Sequence, residues 1–239
     1  MVIDYKKVER MFKQLNTQYV INFEPNSKVK DYLEQIQSEL SQYFQKDAFT
    51  VIGISNNANV PPEVPRILAT SPQGHSSIQV SACAINLQTT FDGSFSGDFS
   101  ACRKYIVERI CAINKIAKLI SGDKVLFCGI ISVFNDADVN NAAKFIRNQF
   151  FVEKDRDIFD IIARFTFVKD NKYYKNIAIS NARKSLQEEA LSVSVDVNNR
   201  YMFNYDKGKY TTDEDFRKLL EIYDDFVNKK LELVKEGKV

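Results

Sequence analysis

Residues 159–179 read FDIIARFTFVKDNKYYKNIAI. Phe159, Ile161, Ala163, Phe165 and Phe167 fall on every second position, and Tyr173, Ile177 and Ile179 resume the alternation beyond Asp170-Asn171. A period of two puts apolar side chains on one face of a pleated strand, and an Asp-Asn step between two such runs is a turn. The segment is a β-hairpin with one face turned to a core. Leu191, Val193, Val195 and Val197 alternate with Ser192, Ser194 and Asp196, so a third strand follows. A turn at Asn198-Asn199 leads into a fourth strand at 201–205.

Working outward, residues 125–134 form an apolar strand. Asp136 or Asp138 is placed to cap a helix carrying Val139, Ala142, Ala143, Ile146 and Phe150. Thr211, with Glu214 three residues on, reads as a capping box. It opens a final helix, from about residue 212 to 236, with the stripe Phe216, Leu219, Leu220, Tyr223, Val227, Leu231 and Val234. Residues 123–239 thus read β-α-β-β-β-β-α. Residues 17–122 repeat that order. A strand holds Tyr19, Ile21 and Phe23, and a helix capped by Ser27 carries Val29, Tyr32, Leu33, Ile36, Leu40, Tyr43 and Phe44. Strands follow at 49–55, 66–71 and 76–82. The apolar phase then shifts, which requires a turn or bulge near Cys83 and Ala84 before Ile85, Leu87, Thr89 and Phe91. Asp98 caps the next helix and Gly122 ends it. Residues 1–16 read as a short amphipathic helix with Val8, Met11, Phe12 and Leu15. The expected fold class is α+β, in two pseudo-equivalent halves, each an antiparallel sheet with helices on one face.

The 239 residues are 44% hydrophobic and 27% charged, with a net charge of +2. That balance excludes a disordered chain and withholds the strong positive field typical of nucleic-acid binders. The cysteines, Cys83, Cys102, Cys111 and Cys128, form no Cys-x-x-Cys pair, and there is one histidine, so no zinc site of ordinary spacing is expected. They read as free thiols in a reducing compartment. The charged start, Asp4 to Arg10, lacks the apolar core of a signal peptide, and no run reaches the ~18 apolar residues of a membrane span. A cytoplasmic protein is expected.

Residues 65–135 resemble a sporadically distributed microbial protein family of unestablished function. The resemblance rests on Pro65-Arg66 at a strand start, the polar turn from Pro72 to His75, and the strand from Ile78 to Ala82. It continues through Leu87-Gln88-Thr89, Phe91, the helix from Asp98, and Val133-Phe134-Asn135, without the arginine that members carry near this last element. The resemblance implies the α+β layout and a role as cargo of mobile or host-defence loci. It implies no reaction.

No residue set meets the needs of catalysis. His75 adjoins Ser76, but a triad needs an orienting acid as well. Asp136-Ala-Asp138-Val-Asn140-Asn141 opens like a calcium loop, yet Asn141 and Arg147 stand where Gly and Glu are required. Gly93 and Gly97 before the Asp98 helix lack a phosphate-binding signature. Asp213, Glu214 and Asp215 suit a helix first turn, and Glu188-Glu189 and Asp224-Asp225 show no visible partners. No catalytic, cofactor or metal residue is assigned. A basic and aromatic set remains: Arg164, Lys169, Lys172, Tyr174, Lys175, Arg183 and Lys184, suited to phosphate tracking and base stacking. Leu231, Leu233 and Val234 extend apolar surface to the last turns of the final helix, where a second copy can pack. The expected function is a non-enzymatic protein-binding or assembly factor that forms a homodimer. The alternative is a nucleic-acid-binding accessory factor using residues 164–184. A hydrolase or nuclease with an unrecognised carboxylate site stands third.

Overall fold

The computed structural model describes residues 12–54, 59–93, 95–139, 141–151, 158–183, 185, 188–200 and 210–239. Its strands are β1 (Lys13–Phe23), β2 (Phe49–Val51), β3 (Pro65–Thr70), β4 (Ser76–Ser81), β5 (Ala84–Thr90), β6 (Val125–Asp136), β7 (Ile162–Lys169), β8 (Tyr173–Arg183) and β9 (Glu189–Asn198). The helices are α1 (Leu33–Leu40), α2 (Phe99–Ser121), α3 (Ala142–Phe150) and α4 (Asp213–Asp225). The nine strands among the described residues join one antiparallel sheet in the order β2-β3-β4-β5-β1-β6-β9-β8-β7. The two sheets expected from the sequence are therefore one, joined where β1 pairs with β6 from Lys13↔Asn135 to Phe23↔Val125. On one side the meander β3-β4-β5 returns to β1; on the other β7-β8-β9 returns to β6.

Alternation governs the sheet's faces. Tyr19, Ile21, Phe23, Ile85, Leu87, Cys128, Ile130, Phe134, Ile177, Ile179, Val193, Val195 and Val197 are buried, and the helices pack on that face. The opposite parity presents Gln18, Asn86, Asn176, Ser194 and Asp196, none of them fully buried. At the centre of the covered face a polar cluster is satisfied internally. Gln14 Nε2 donates to Thr17 Oγ1 (2.7 Å) and the Tyr223 hydroxyl (3.2 Å), and the Ser132 hydroxyl sits 2.7 Å from both Thr17 Oγ1 and Tyr223. These bonds fix α4 over the β1–β6 junction; unpaired, the same groups would each cost roughly 1–3 kcal/mol. Gly129 lets the strands close up, since a Cβ there would lie 2.9 Å from Asn198 Cβ.

The Asp98 side chain accepts from the Ala101 amide, and Gly122 ends α2 in a left-handed conformation (φ 62°), both as the sequence predicts. The Asp170-Asn171 turn also follows expectation, with φ of 55° and 51°. Helices α2 and α4 run antiparallel. Arg103 grips Asp224 with two 2.6 Å bonds at one end, and Lys118 meets Asp213 at 2.5 Å at the other.

Several expectations are corrected. Residues 13–16 belong to β1 instead of an N-terminal helix, because pairing with β6 outweighs their helical spacing; residues 1–11 lie outside the described set. Ser27 caps no helix. A 3₁₀ turn, Val29–Tyr32, precedes α1, and Tyr43 and Phe44 pack from beyond its end. Asn141, rather than Asp136 or Asp138, caps α3 by accepting from the Lys144 amide. Asp136 ends β6 and is buried, paired with Lys235. The α4 cap is Thr212 with Asp215, one residue beyond Thr211 and Glu214. Thr211 is held elsewhere, between Asn199 and the Leu126 carbonyl. After Asp225 the final helix becomes a π turn, Phe226–Lys230, and then a 3₁₀ turn, Glu232–Glu236. The strand expected at 201–205 lies outside the described residues.

Candidate functional site

The basic residues expected to form one surface are distributed by strand parity. Arg164 and Tyr174 point to the uncovered face, whereas Lys175 points to the helix-covered one. Lys172 is ion-paired with the buried Asp215. Burial pushes the Asp215 carboxyl up, but Lys172, the Thr212 amide, the Tyr173 hydroxyl and the Thr212 hydroxyl outweigh it and hold the group below the usual carboxylate range. Arg183 pairs with Glu189 at 3.0 Å and donates to the Phe159 carbonyl. Lys169 is exposed at the end of β7, and Lys184 lies outside the described residues. The cations thus sit on different faces and two are neutralised.

The expected self-association residues are also relocated. Leu231 and Val234 are 1% and 0% exposed, so they belong to the chain's own core, and Leu233 alone keeps a surface. The π turn and 3₁₀ turn fold the chain end back onto the molecule, where Lys235 reaches both Asp136 and the Phe12 ring.

Exposed apolar surface gathers instead at the β7 edge. Of the nine large apolar side chains left exposed among the described residues, Ile162, Phe167 and Val168 lie on β7 and Phe159 just before it. Ile162 and Val168 are 48% and 52% exposed, and they lie on the parity opposite Ala163, Phe165 and Phe167. Their apolar character is the signal the sequence carries, since both fall out of phase with Phe159, Ile161, Ala163, Phe165 and Phe167. Among the described residues strand β7 pairs with β8 alone, and its outer backbone groups have no partner there.

The neighbouring uncovered face is rich in amides and poor in charge. Thr166 Oγ1 donates to Asn176 Oδ1 (2.9 Å), Asn176 Nδ2 to Asp196 Oδ2 (3.1 Å), and Asn198 Nδ2 to Asp196 Oδ1 (2.9 Å). Gln18 Nε2 donates to Asn86 Oδ1 across β1 and β5 (3.0 Å).

At the His75 turn, the imidazole lies 3.9 Å from Asp92, while Ser76 is fully buried and bonded to Thr89 and Tyr105. The histidine and the serine hydroxyl are therefore not partners. Among the described residues no three His, Cys, Asp or Glu side chains are placed to hold a metal ion. All four cysteines are free; Cys111 is exposed, and burial raises the Cys102 thiol to about 12. No helix among the described residues is long and apolar enough to cross a membrane. A scan against protein-family models and a search of curated proteins both return no match to this chain.

Proposed function

We propose that this chain is a non-enzymatic protein-binding or assembly factor that pairs with a second copy of itself along β7. The carrying observation is the eight-residue β7 edge, apolar at Ile162, Phe167 and Val168, with its outer backbone unpaired among the described residues. Unpaired backbone groups and exposed apolar side chains both gain from an added strand. The edge is also self-complementary. Two copies set antiparallel about a two-fold axis at Phe165 place Ile162 opposite Val168, Ala163 opposite Phe167 and Arg164 opposite Thr166. No like charges meet in that register, and two-fold pairing is the commonest closed assembly. Light scattering at micromolar concentration tests the reading. A dimer mass is expected, and a monomer mass overturns it.

Three features support the remaining parts of this reading. The matching order of meander and return strand, β3-β4-β5-β1 and β7-β8-β9-β6, supports an internal duplication of residues 17–122 and 123–239, with β5 equivalent to β9. The four free thiols fit a reducing, cytoplasmic setting. The resemblance of residues 65–135 to a sporadic microbial family supports a place in mobile or host-defence loci. For the alternative, a nucleic-acid accessory factor, Arg164 and Tyr174 on the uncovered face are the favourable observation. The pairing of Lys172 with Asp215 and Arg183 with Glu189 removes phosphate contacts from that set. A mobility shift at low salt that weakens steeply with added salt would revive it.

A further inference from the structure

A cleft of about 460 Å³ opens where the end of the β7–β8 hairpin meets the last turns of α4. Its apolar walls are Phe167, Val168, Tyr173 and Ile222. Its charged groups are Lys169, Lys175, Lys229 and Lys230, against the carboxylates Glu221 and Asp225.

Those carboxylates are already engaged. Asp225 is met by Lys229 at 3.0 Å and Lys230 at 3.6 Å, and Glu221 by Lys218 at 3.1 Å. The Lys175 ammonium has neither an ion pair nor a hydrogen bond among the described residues. Its ammonium lies 4.5 Å from the centre of the Phe167 ring and 5.6 Å from that of Phe226. Burial, and then the neighbouring Lys230, push this amine below its usual range, with Asp225 opposing. A partly desolvated cation is costly unless something of opposite charge completes its surroundings. Apolar packing alone would be better served by methionine or leucine at this position.

The backbone supplies a second, independent observation. Lys229 and Lys230 belong to the π turn Phe226–Lys230, in which the Leu231 amide reaches back five residues to the Phe226 carbonyl at 2.9 Å. Such turns are rare and recur at functional sites, because the extra residue redirects the side chains that follow. Here the turn carries two of the cleft's four lysines. The cleft therefore holds two more cations than carboxylates, set beside aromatic faces.

The geometry points to a binding site for a small organic anion with a flat aromatic body, its acidic group between Lys175 and Lys230 and its ring against Phe167 and Ile222. Naphthyl phosphate is the probe, and inorganic phosphate the comparison, both followed by titration calorimetry with the full chain. Saturable binding of naphthyl phosphate is expected, with inorganic phosphate about tenfold weaker or more, because the ring contributes apolar burial. Lys175→Met weakens naphthyl phosphate about tenfold or more, the loss expected for a charge-assisted contact. Its melting temperature stays equal to or above that of the parent, because the substitution removes a desolvated charge. Lys115→Met, on the exposed face of α2, leaves binding unchanged. Absence of binding, equal binding of the two phosphates, or equal affinity for the parent and Lys175→Met each overturns the assignment.

Discussion

At one end of the sheet the outermost strand, β2, is three residues long, and the segment that follows it carries Pro61, Pro62 and Pro65. At the other end β7 runs for eight residues without a proline or glycine, and Ile162, Phe167 and Val168 stay exposed. Short strands and neighbouring prolines are the ordinary means of stopping an edge from pairing with another chain. Strand β2 uses both. Strand β7 carries only Arg164 and Lys169, and in the register centred on Phe165 neither meets its own kind. The difference teaches that one end of the sheet carries the usual guards against a further strand, while the other leaves apolar side chains exposed beside backbone groups that are unpaired among the described residues.

The largest expected effect tests whether both edges belong to one folding unit. Phe134 is fully buried on β6 and packs edge-on against Phe99. Phe134→Ala is expected to cost about 3–5 kcal/mol and to lower the whole urea transition in a single step. Phe167→Ala, at the β7 edge, is expected to cost less than about 1 kcal/mol in the monomer. Two separated transitions in the Phe134 variant would divide the sheet into independent halves and break the comparison of its ends.

Next in size is the asymmetry itself. Ile162→Lys with Val168→Lys is expected to raise the dimer dissociation constant about a hundredfold, to judge from the loss of two apolar contacts and the new facing charges. Circular dichroism should remain that of the folded protein. Thr50→Lys with Val51→Lys on β2 is expected to leave the mass unchanged. If the β2 pair splits the dimer and the β7 pair does not, the roles of the two edges are reversed.

A smaller effect concerns how the hairpin is anchored. Asp215 holds Lys172 and Tyr173 of the β7–β8 hairpin to α4. Its carboxyl lies below the ordinary range in the folded state, so its contribution is present above the unfolded value of about 4 and is lost as pH falls through the lower folded value. Asp215→Asn is expected to cost about 2 kcal/mol at neutral pH. The gap between parent and variant should narrow as pH falls below about 4, measured by urea midpoints. A gap that is constant from neutral to strongly acid pH would show that the carboxylate's charge is not what holds this end of the sheet.

Much of the architecture was legible. The hairpin of β7 and β8, strand β9 and the breaks near Cys83 and Gly122 all follow from local patterns, because a buried face imposes alternation on β8 and β9 and left-handed turns demand particular residues, whereas Phe159 and Phe167, expected on that face, are exposed. The caps of α3 and α4 were displaced because several Asp, Asn and Thr residues stand within reach of each helix start. Tertiary partners chose among them, with Asn199 taking Thr211 and Lys235 taking Asp136. The basic cluster looked continuous along the chain, yet Arg164 and Lys175 fall on opposite parity and so on opposite faces. Ile162 and Val168 were legible as apolar residues out of phase, although nothing local said that their strand would lie at an edge.

The sequence by itself determined strands β4 to β9, helices α2 and α4, the antiparallel hairpins and the α+β class, since these depend on spacings of two, three and four residues. Only the tertiary structure decided that two expected sheets are one, that Leu231 and Val234 are core, and that β7 and β2 become the ends. Those outcomes rest on contacts between distant residues, such as Thr17 with Ser132 and Gln14 with Tyr223, 115 and 209 positions apart. Periodicity reports which face of an element is apolar; which partner covers that face is settled only when remote segments compete for it.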